Sequence, residues 1–181
     1  MAQISLNSLM GTAAPTYPEQ IATPFRQELT EAGFTQLMTP HDVDKALNTK
    51  DDKLTLVVLN SVCGCAARAA RPGVLLSLFN NVVPDNLVTI FAGMEKEAVN
   101  YFRNNFLPTV TPSSPNIVLF KNGEWVKLME RHQIEGKSAG QIADELVQAY
   151  NKECNKKNSE ETIAELRTNF INRFQVDPLG A

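Results

Sequence analysis

An apolar, β-branched run leads directly into two closely spaced cysteines, and this junction constrains the fold more than any other segment. The run Leu54–Leu59 (LTLVVL) has polar residues on both sides, which is typical of a central strand covered on both faces. It is followed by Asn60–Cys65 (NSVCGC) and then by the alanine-rich segment Ala66–Phe79, which has strong helix propensity. Pro72 interrupts that segment, so we expect a kink or a new helix start there. The order strand, CxC motif, helix indicates an α/β fold with cysteines at a strand end.

The remaining periodicity completes one α/β domain. Strands are predicted at Leu87–Phe91, Ile117–Phe120 and Trp125–Met129, and Asn122–Gly123 is a strong hairpin signal between the last two. The first three strands are separated by helical segments, so we expect them to be parallel and joined by right-handed crossovers. The sequence therefore predicts a mixed four-stranded sheet with helices on both faces, extra helices before it and one helix after it. Helical faces are indicated by Ile21, Phe25 and Leu29, by Val43, Ala46 and Leu47, by Ala98, Val99, Phe102 and Phe106, and by Ile142, Leu146 and Tyr150.

Both ends of the chain differ in character from this domain. Residues 1–17 are rich in small polar residues and are predicted to be a flexible lead-in, while 18–154 form the domain. Residues 155–181 are predicted to be a helical extension with a stripe of Ile163, Leu166, Phe170 and Phe174. Such a stripe needs a partner surface, which is either its own domain or a second copy in a homodimer.

Composition narrows the class of protein. Seventeen basic and twenty acidic side chains give a net charge of −3, which disfavours a nucleic-acid platform. No apolar run approaches the roughly 20 residues of a membrane span, and Met1–Thr16 is a poor signal peptide, so we expect a cytoplasmic protein without a membrane partner. The three cysteines are too few for a disulfide scaffold.

Cys63 is predicted to be a reactive thiol. It lies where sites cluster in α/β sheets, at the carboxyl end of a strand and the start of a helix. Free N–H groups and the positive end of the helix dipole favour the thiolate and lower its pKa. Arg68 and Arg71 follow within two helical turns without a neighbouring carboxylate, so we expect both to lower that pKa further.

The CxC spacing indicates disulfide exchange. Gly64 permits unusual backbone dihedrals, but a disulfide across so short a ring should still be strained and therefore oxidising. Two other interpretations stay open: buried packing cysteines, or a zinc site built from Cys63, Cys65, Cys154 and His132. Cys154 itself, in a polar helix end, is predicted to be an exposed bystander rather than a resolving thiol, and His132 a surface residue.

Several motifs together resemble the bacilliredoxin family over residues 18–154. They are Asn60–Ala67 with Ala70–Pro72, Val83–Asn86, Phe91–Gly93, Pro112–Pro115, Arg131–Gly136 and, in the first helix, Pro24–Thr30.

The resemblance implies a thioredoxin-like fold and a thiol–disulfide oxidoreductase or isomerase. Cys63 would be the attacking thiol and Cys65 the second one, with Pro115 a cis-proline beside them; Gly64, Ser114 and Pro115 are expected to contact the substrate. It further implies client proteins carrying disulfides or bacillithiol, with bacillithiol or a similar small thiol as co-substrate and no tightly bound cofactor or metal.

Two features depart from the family pattern. Arg68 occupies a position where a small residue is expected, and residues 155–181 extend past the family's usual end. A metal-binding module or a non-catalytic interaction domain, in which the Ile163–Phe174 helix makes the contact, are the alternative functions.

Overall fold

The computed structural model describes residues 13–180, which form an α/β fold. The helices are α1 (Glu19–Thr30), α2 (Pro40–Leu47), α3 (Arg71–Ser77), α4 (Lys96–Phe106), α5 (Arg131–Ile134), α6 (Ala139–Glu153) and α7 (Glu160–Phe174). The strands are β1 (Thr35–Gln36), β2 (Leu54–Asn60), β3 (Val82–Val83), β4 (Asn86–Phe91), β5 (Asn116–Lys121), β6 (Glu124–Met129) and β7 (Lys156–Lys157).

The main sheet has five strands in the order β1–β4–β2–β5–β6, and β3 pairs separately with β7. The prediction of four strands was wrong because β1 contains only two residues, too few to produce a recognisable alternation of apolar and polar side chains. The central position of β2 is confirmed, since each of its residues is buried.

The direction of β5 also differs from the prediction. β4 runs parallel to β2, but β5 runs antiparallel to it, with Leu59 opposite Asn116 and Leu54 opposite Lys121. The cause is the non-helical segment 107–115 after α4. Fully extended it can span about 30 Å, so it can return the chain to the carboxyl end of β2 before β5 begins.

The hairpin between β5 and β6 is confirmed. These strands are antiparallel, and Asn122 and Gly123 have φ angles of 54° and 85°. Two consecutive positive φ angles are the signature of a type I′ turn, which matches the twist of the strands it connects.

Alternate side chains of β2 enter cores on opposite faces of the sheet. Leu56 and Val58 belong to the core shared with α3, α6 and α7. Val57 and Leu59 belong to the core shared with α2 and α4. This division follows from the two-residue period of a strand and anchors β2, and hence the cysteines after it, from both sides.

Both terminal segments contact the domain. The backbone N–H of Thr16 donates to the carbonyl of Gly93 at 2.6 Å, which ties the described end of the lead-in to the end of β4; residues 1–12 of the lead-in lie outside the described part. At the other end, Leu166 and Phe170 of α7 are buried in the core with α3 and α6. Of the two partner surfaces predicted for this stripe, its own domain therefore covers it.

Candidate functional site

The helix after β2 begins within the CxC motif. Gly64 and Cys65 are already helical, Ala66–Ala70 form a π-helical turn, and α3 continues from Arg71 with Pro72 in its first turn. The chain is thus helical without a break over 64–77, so no new helix start occurs at Pro72, and the irregularity there is the π-helical turn before it. Cys63 and Cys65 are half-buried and joined in a disulfide, with their Cα atoms 5.5 Å apart.

Two hydrogen-bond donors face the sulfur of Cys63. The hydroxyl of Ser61 lies 3.1 Å from Sγ, and the backbone N–H of Ala66 donates to it at 3.4 Å. Donors of this kind favour a charged sulfur over a neutral one, because they stabilise the negative form. Ser61 was not predicted as a site residue, although a serine two residues before a cysteine at a helix start is a signal that could have identified it.

Gly64 contributes space rather than unusual dihedrals. It lies in the helical region, outside the group of glycines with positive φ, so the expected use of its conformational freedom was wrong. A Cβ at this position would lie 3.1 Å from Nη2 of Arg68. The exposed guanidinium of Arg68 therefore lies over the CxC motif, and it forms no ion pair with any residue in 13–180.

Arg71 lies deeper and is paired. Its side chain is fully buried, and Nε donates to Glu28 Oε2 at 2.6 Å. Nη1 donates to Oδ1 of Asn60 and to the carbonyl of Ser61, both at 3.0 Å. The arginine thus contacts the loop before Cys63, while the lowering of the thiol pKa expected from it stays a prediction.

The Ser114–Pro115 segment lies beside the residues that precede Cys63. The peptide bond between them is cis, as predicted. The ladder between β2 and β5 ends with Leu59 opposite Asn116, so Ser114 and Pro115 lie at the same end of the sheet as the residues that lead from β2 to Cys63. Arg131 donates to the carbonyl of Ser114 at 3.3 Å and so holds this segment from the far side.

Cys154 is buried, which corrects the prediction of an exposed thiol. Burial raises the pKa of this thiol to about 12, and the charges of Asp85 and Glu153 act in the same direction. Asp85 accepts from the N–H of Leu54 at the start of β2, whereas Cys63 follows the end of β2. The strand separates the two ends by about 20 Å, so Cys154 cannot resolve a disulfide on Cys63.

The four candidate zinc ligands are therefore not brought together. Cys154 lies at the opposite end of the sheet from Cys63 and Cys65, and His132 is exposed at the start of α5. Across residues 13–180, no group of three or more His, Cys, Asp or Glu side chains could hold a metal ion. In the same range, no helix has the length and apolar character needed to cross a membrane.

Together, the sheet order, the cis-proline and the CxC pair at a helix start define a thioredoxin-like thiol–disulfide oxidoreductase. A family model described as Disulphide isomerase matches residues 17–154, so the chain belongs to that family.

Two named bacilliredoxins support the same family assignment. A bacilliredoxin of Cytophaga hutchinsonii is 50% identical over 134 residues, covering 74% of this chain and 97% of the relative. A bacilliredoxin of Salinibacter ruber is 44% identical over 138 residues, covering 76% of this chain and 80% of the relative. Among solved structures, a thioredoxin of Fasciola hepatica aligns at 20% identity with a TM-score of 0.44, over 65% of this chain and 99% of that one.

Proposed function

We propose that this protein removes bacillithiol, or a similar small thiol, from mixed disulfides on client proteins. The observation that carries the proposal is the environment of Cys63 Sγ, where the Ser61 hydroxyl and the Ala66 N–H converge on one sulfur. Such a site favours a nucleophilic thiolate. The family membership and the named relatives support the same reaction. We place it in the cytoplasm, where thiols are kept reduced.

The first step transfers the small thiol to the enzyme. The thiolate of Cys63 attacks the small-thiol sulfur of the client disulfide, a sulfur–sulfur bond forms, and the client leaves as a thiolate that takes up a proton. No electrons are gained or lost overall, because one disulfide replaces another.

The second step releases the small thiol. The thiolate of Cys65 attacks Cys63 Sγ, closes the Cys63–Cys65 disulfide and expels the small thiol as a thiolate. The protein is then in the oxidised form seen in the structure. Two electrons from a further thiol pair are needed to return both cysteines to thiols. In an alternative second step, another small thiol attacks the mixed disulfide on Cys63, forms a symmetric disulfide and releases the Cys63 thiolate.

The neighbouring residues receive roles in binding. Gly64 has no side chain between the motif and the guanidinium of Arg68, and Ser114 and Pro115 precede β5 at the end of the sheet where β2 leads into Cys63. We assign these three residues to contacts with the disulfide substrate. Arg68 lies beside Gly64 and has no ion-pair partner within residues 13–180, and its charge supports the thiolate of Cys63.

The test compares wild type, Cys63→Ser and Cys65→Ser on a bacillithiolated client. We expect wild type to release the thiol, Cys63→Ser to release none, and Cys65→Ser to accumulate a mixed disulfide on Cys63 that mass spectrometry detects. Equal release by wild type and Cys63→Ser would overturn the assignment of Cys63. Cys154→Ser is the matched control, and we expect it to behave as wild type because Cys154 lies at the other end of β2.

A further inference from the structure

A buried ion pair joins the first helix to the helix that follows the cysteines. Arg71 in the first turn of α3 has no exposed surface, and its Nε lies 2.6 Å from a carboxylate oxygen of Glu28 in α1. The guanidinium also lies over the ring of Phe25, 4.6 Å from its centroid. Glu28 and Phe25 both belong to the Pro24–Thr30 motif, to which the exchange reaction assigns no role.

The same arginine holds the loop that leads to Cys63. Nη1 donates to both the side-chain oxygen of Asn60 and the carbonyl of Ser61, at 3.0 Å each. Asn60 in turn donates to the carbonyl of Phe25 at 3.1 Å and accepts from the N–H of Ser61 at 2.9 Å. The end of β2 is therefore cross-linked to α1 through two buried polar side chains.

These contacts reach the residue whose hydroxyl faces the sulfur of Cys63. Ser61, whose carbonyl Arg71 holds, directs its hydroxyl to Cys63 Sγ at 3.1 Å. We propose that Glu28 and Arg71 are positioning residues for thiol–disulfide exchange, which hold Asn60 and Ser61 so that the Ser61 hydroxyl faces Cys63. This inference rests on the proposed function for its biological meaning, but it concerns a property of Cys63 that can be measured separately.

Stability alone is a weak reason for such an arrangement. A buried ion pair is often no better for folding than apolar residues of the same size. In addition, Nη2 of Arg71 is buried without a hydrogen-bond partner within the described chain, which is unfavourable. An apolar pair could fill the same space, but it could not make the hydrogen bonds that Arg71 makes to Asn60 and Ser61.

The Glu28→Ala variant distinguishes two explanations: either the ion pair positions the loop before Cys63, or Arg71 acts on Cys63 only through its positive charge. If Arg71 acted only through its charge, Glu28→Ala would leave that charge uncompensated and make the Cys63 thiolate more favourable. If the pair positions the loop, the same variant lets Arg71 move, weakens the Ser61 contact and makes the thiolate less favourable. Arg71→Lys keeps the charge but loses the planar fork of donors, so it separates the two in the same way.

The experiment measures alkylation of reduced full-length protein by iodoacetamide, with modification of Cys63 followed by peptide mass spectrometry. At about pH 6 we expect Glu28→Ala and Arg71→Lys to slow alkylation of Cys63 about three- to tenfold, the range expected for loss of one hydrogen bond. In a Ser61→Ala background, Glu28→Ala should add little, because it acts through the same hydroxyl. Unchanged alkylation in both single variants, or faster alkylation in Glu28→Ala, would overturn the proposal.

A second buried ion pair, which joins α1 to the residue before α4, provides the control. Arg26 pairs with Glu95, which accepts from the N–H of Phe91 rather than from the loop before Cys63. We expect Arg26→Lys and Glu95→Ala to lower the midpoint of urea unfolding but to leave alkylation unchanged; slowing equal to that in Arg71→Lys would show a general loosening and overturn the proposal.

Should Arg71→Lys fail to fold, the alkylation rate of Glu28→Ala alone tests the proposal. If wild type releases no bacillithiol from clients while the alkylation differences hold, the proposed function fails and the positioning role stands.

Discussion

At the residue scale, we expect the reactivity of Cys63 to depend mainly on one hydroxyl. A hydrogen bond to a charged group contributes about 1.5–3 kcal/mol, whereas the dipole of a helix start contributes about 0.3–1 kcal/mol. The Ser61 hydroxyl at 3.1 Å from Sγ should therefore stabilise a thiolate more than the helix start does. One weak N–H contact from Ala66 at 3.4 Å adds to it.

We predict that Ser61→Ala slows alkylation of Cys63 about tenfold at about pH 6, since about 1.4 kcal/mol corresponds to one pKa unit. The measurement is the pH dependence of iodoacetamide alkylation on reduced protein. Ser159→Ala is the control, because its hydroxyl caps α7 and contacts Thr162 instead of a sulfur. An alkylation profile of Ser61→Ala that matches wild type would contradict the prediction.

At the element scale, α7 supplies part of the core without taking part in the site. Phe170 is buried, lies edge-on to Phe79 with ring centroids 6.2 Å apart, and contacts Phe174 at 4.6 Å. Arg173 and Asn169 bond to Glu31 at the end of α1. Phe79 follows the end of α3 while Cys63 precedes its start, so α7 lies at the end of that helix away from the cysteines.

We predict that Phe170→Ala lowers the free energy of unfolding by about 3 kcal/mol, the ordinary cost of removing a buried aromatic ring. The exchange rate of the folded protein should stay unchanged. Urea unfolding and a client-release assay measure the two quantities, and Thr168→Ala on the exposed face of α7 is the control. A fall in exchange rate without loss of stability would show that α7 takes part in the reaction.

At the scale of the whole molecule, burial at the end of α6 links stability to alkaline pH. Burial raises the pKa of Cys154 to about 12 from an ordinary value of 9.0. Burial also raises the pKa of Tyr150, whose hydroxyl lies 3.0 Å from that of Ser77. Above about pH 9 the unfolded chain loses the Cys154 proton while the folded chain keeps it, so the unfolded state becomes more stable relative to the folded state. Stability is therefore fully present below pH 9 and declines until the folded pKa is reached.

We predict that oxidised wild type loses more stability than Cys154→Ala between about pH 8 and about pH 10.5. Urea unfolding of both proteins at each pH gives the difference, and the other titrating groups cancel in the comparison. Equal losses in the two proteins would mean that Cys154 has the same pKa in the folded and unfolded states.

Local chemistry accounts for the features that were predictable from the sequence. The apolar run of β2 and the Asn122–Gly123 turn each depend on neighbouring residues only, so both could be inferred before any contact was known. The placement of Cys63 at a strand-to-helix junction follows from the same local patterns. Together with the family motifs, these patterns were sufficient for a thioredoxin-like fold with a CxC pair.

Contacts between segments far apart in the chain determined the features that were not predictable from the sequence. The antiparallel direction of β5, the two-residue strand β1 and the docking of α7 on its own domain depend on packing between elements far apart in the chain. Cys154 lies in a polar stretch of sequence but is buried, because the core that covers it is assembled from other elements. Arg71 was expected to act on the cysteines nearby in sequence, yet its carboxylate partner is Glu28, 43 residues earlier. Such pairings follow from the folded arrangement, since side-chain contacts depend on distance in space and not on separation along the chain.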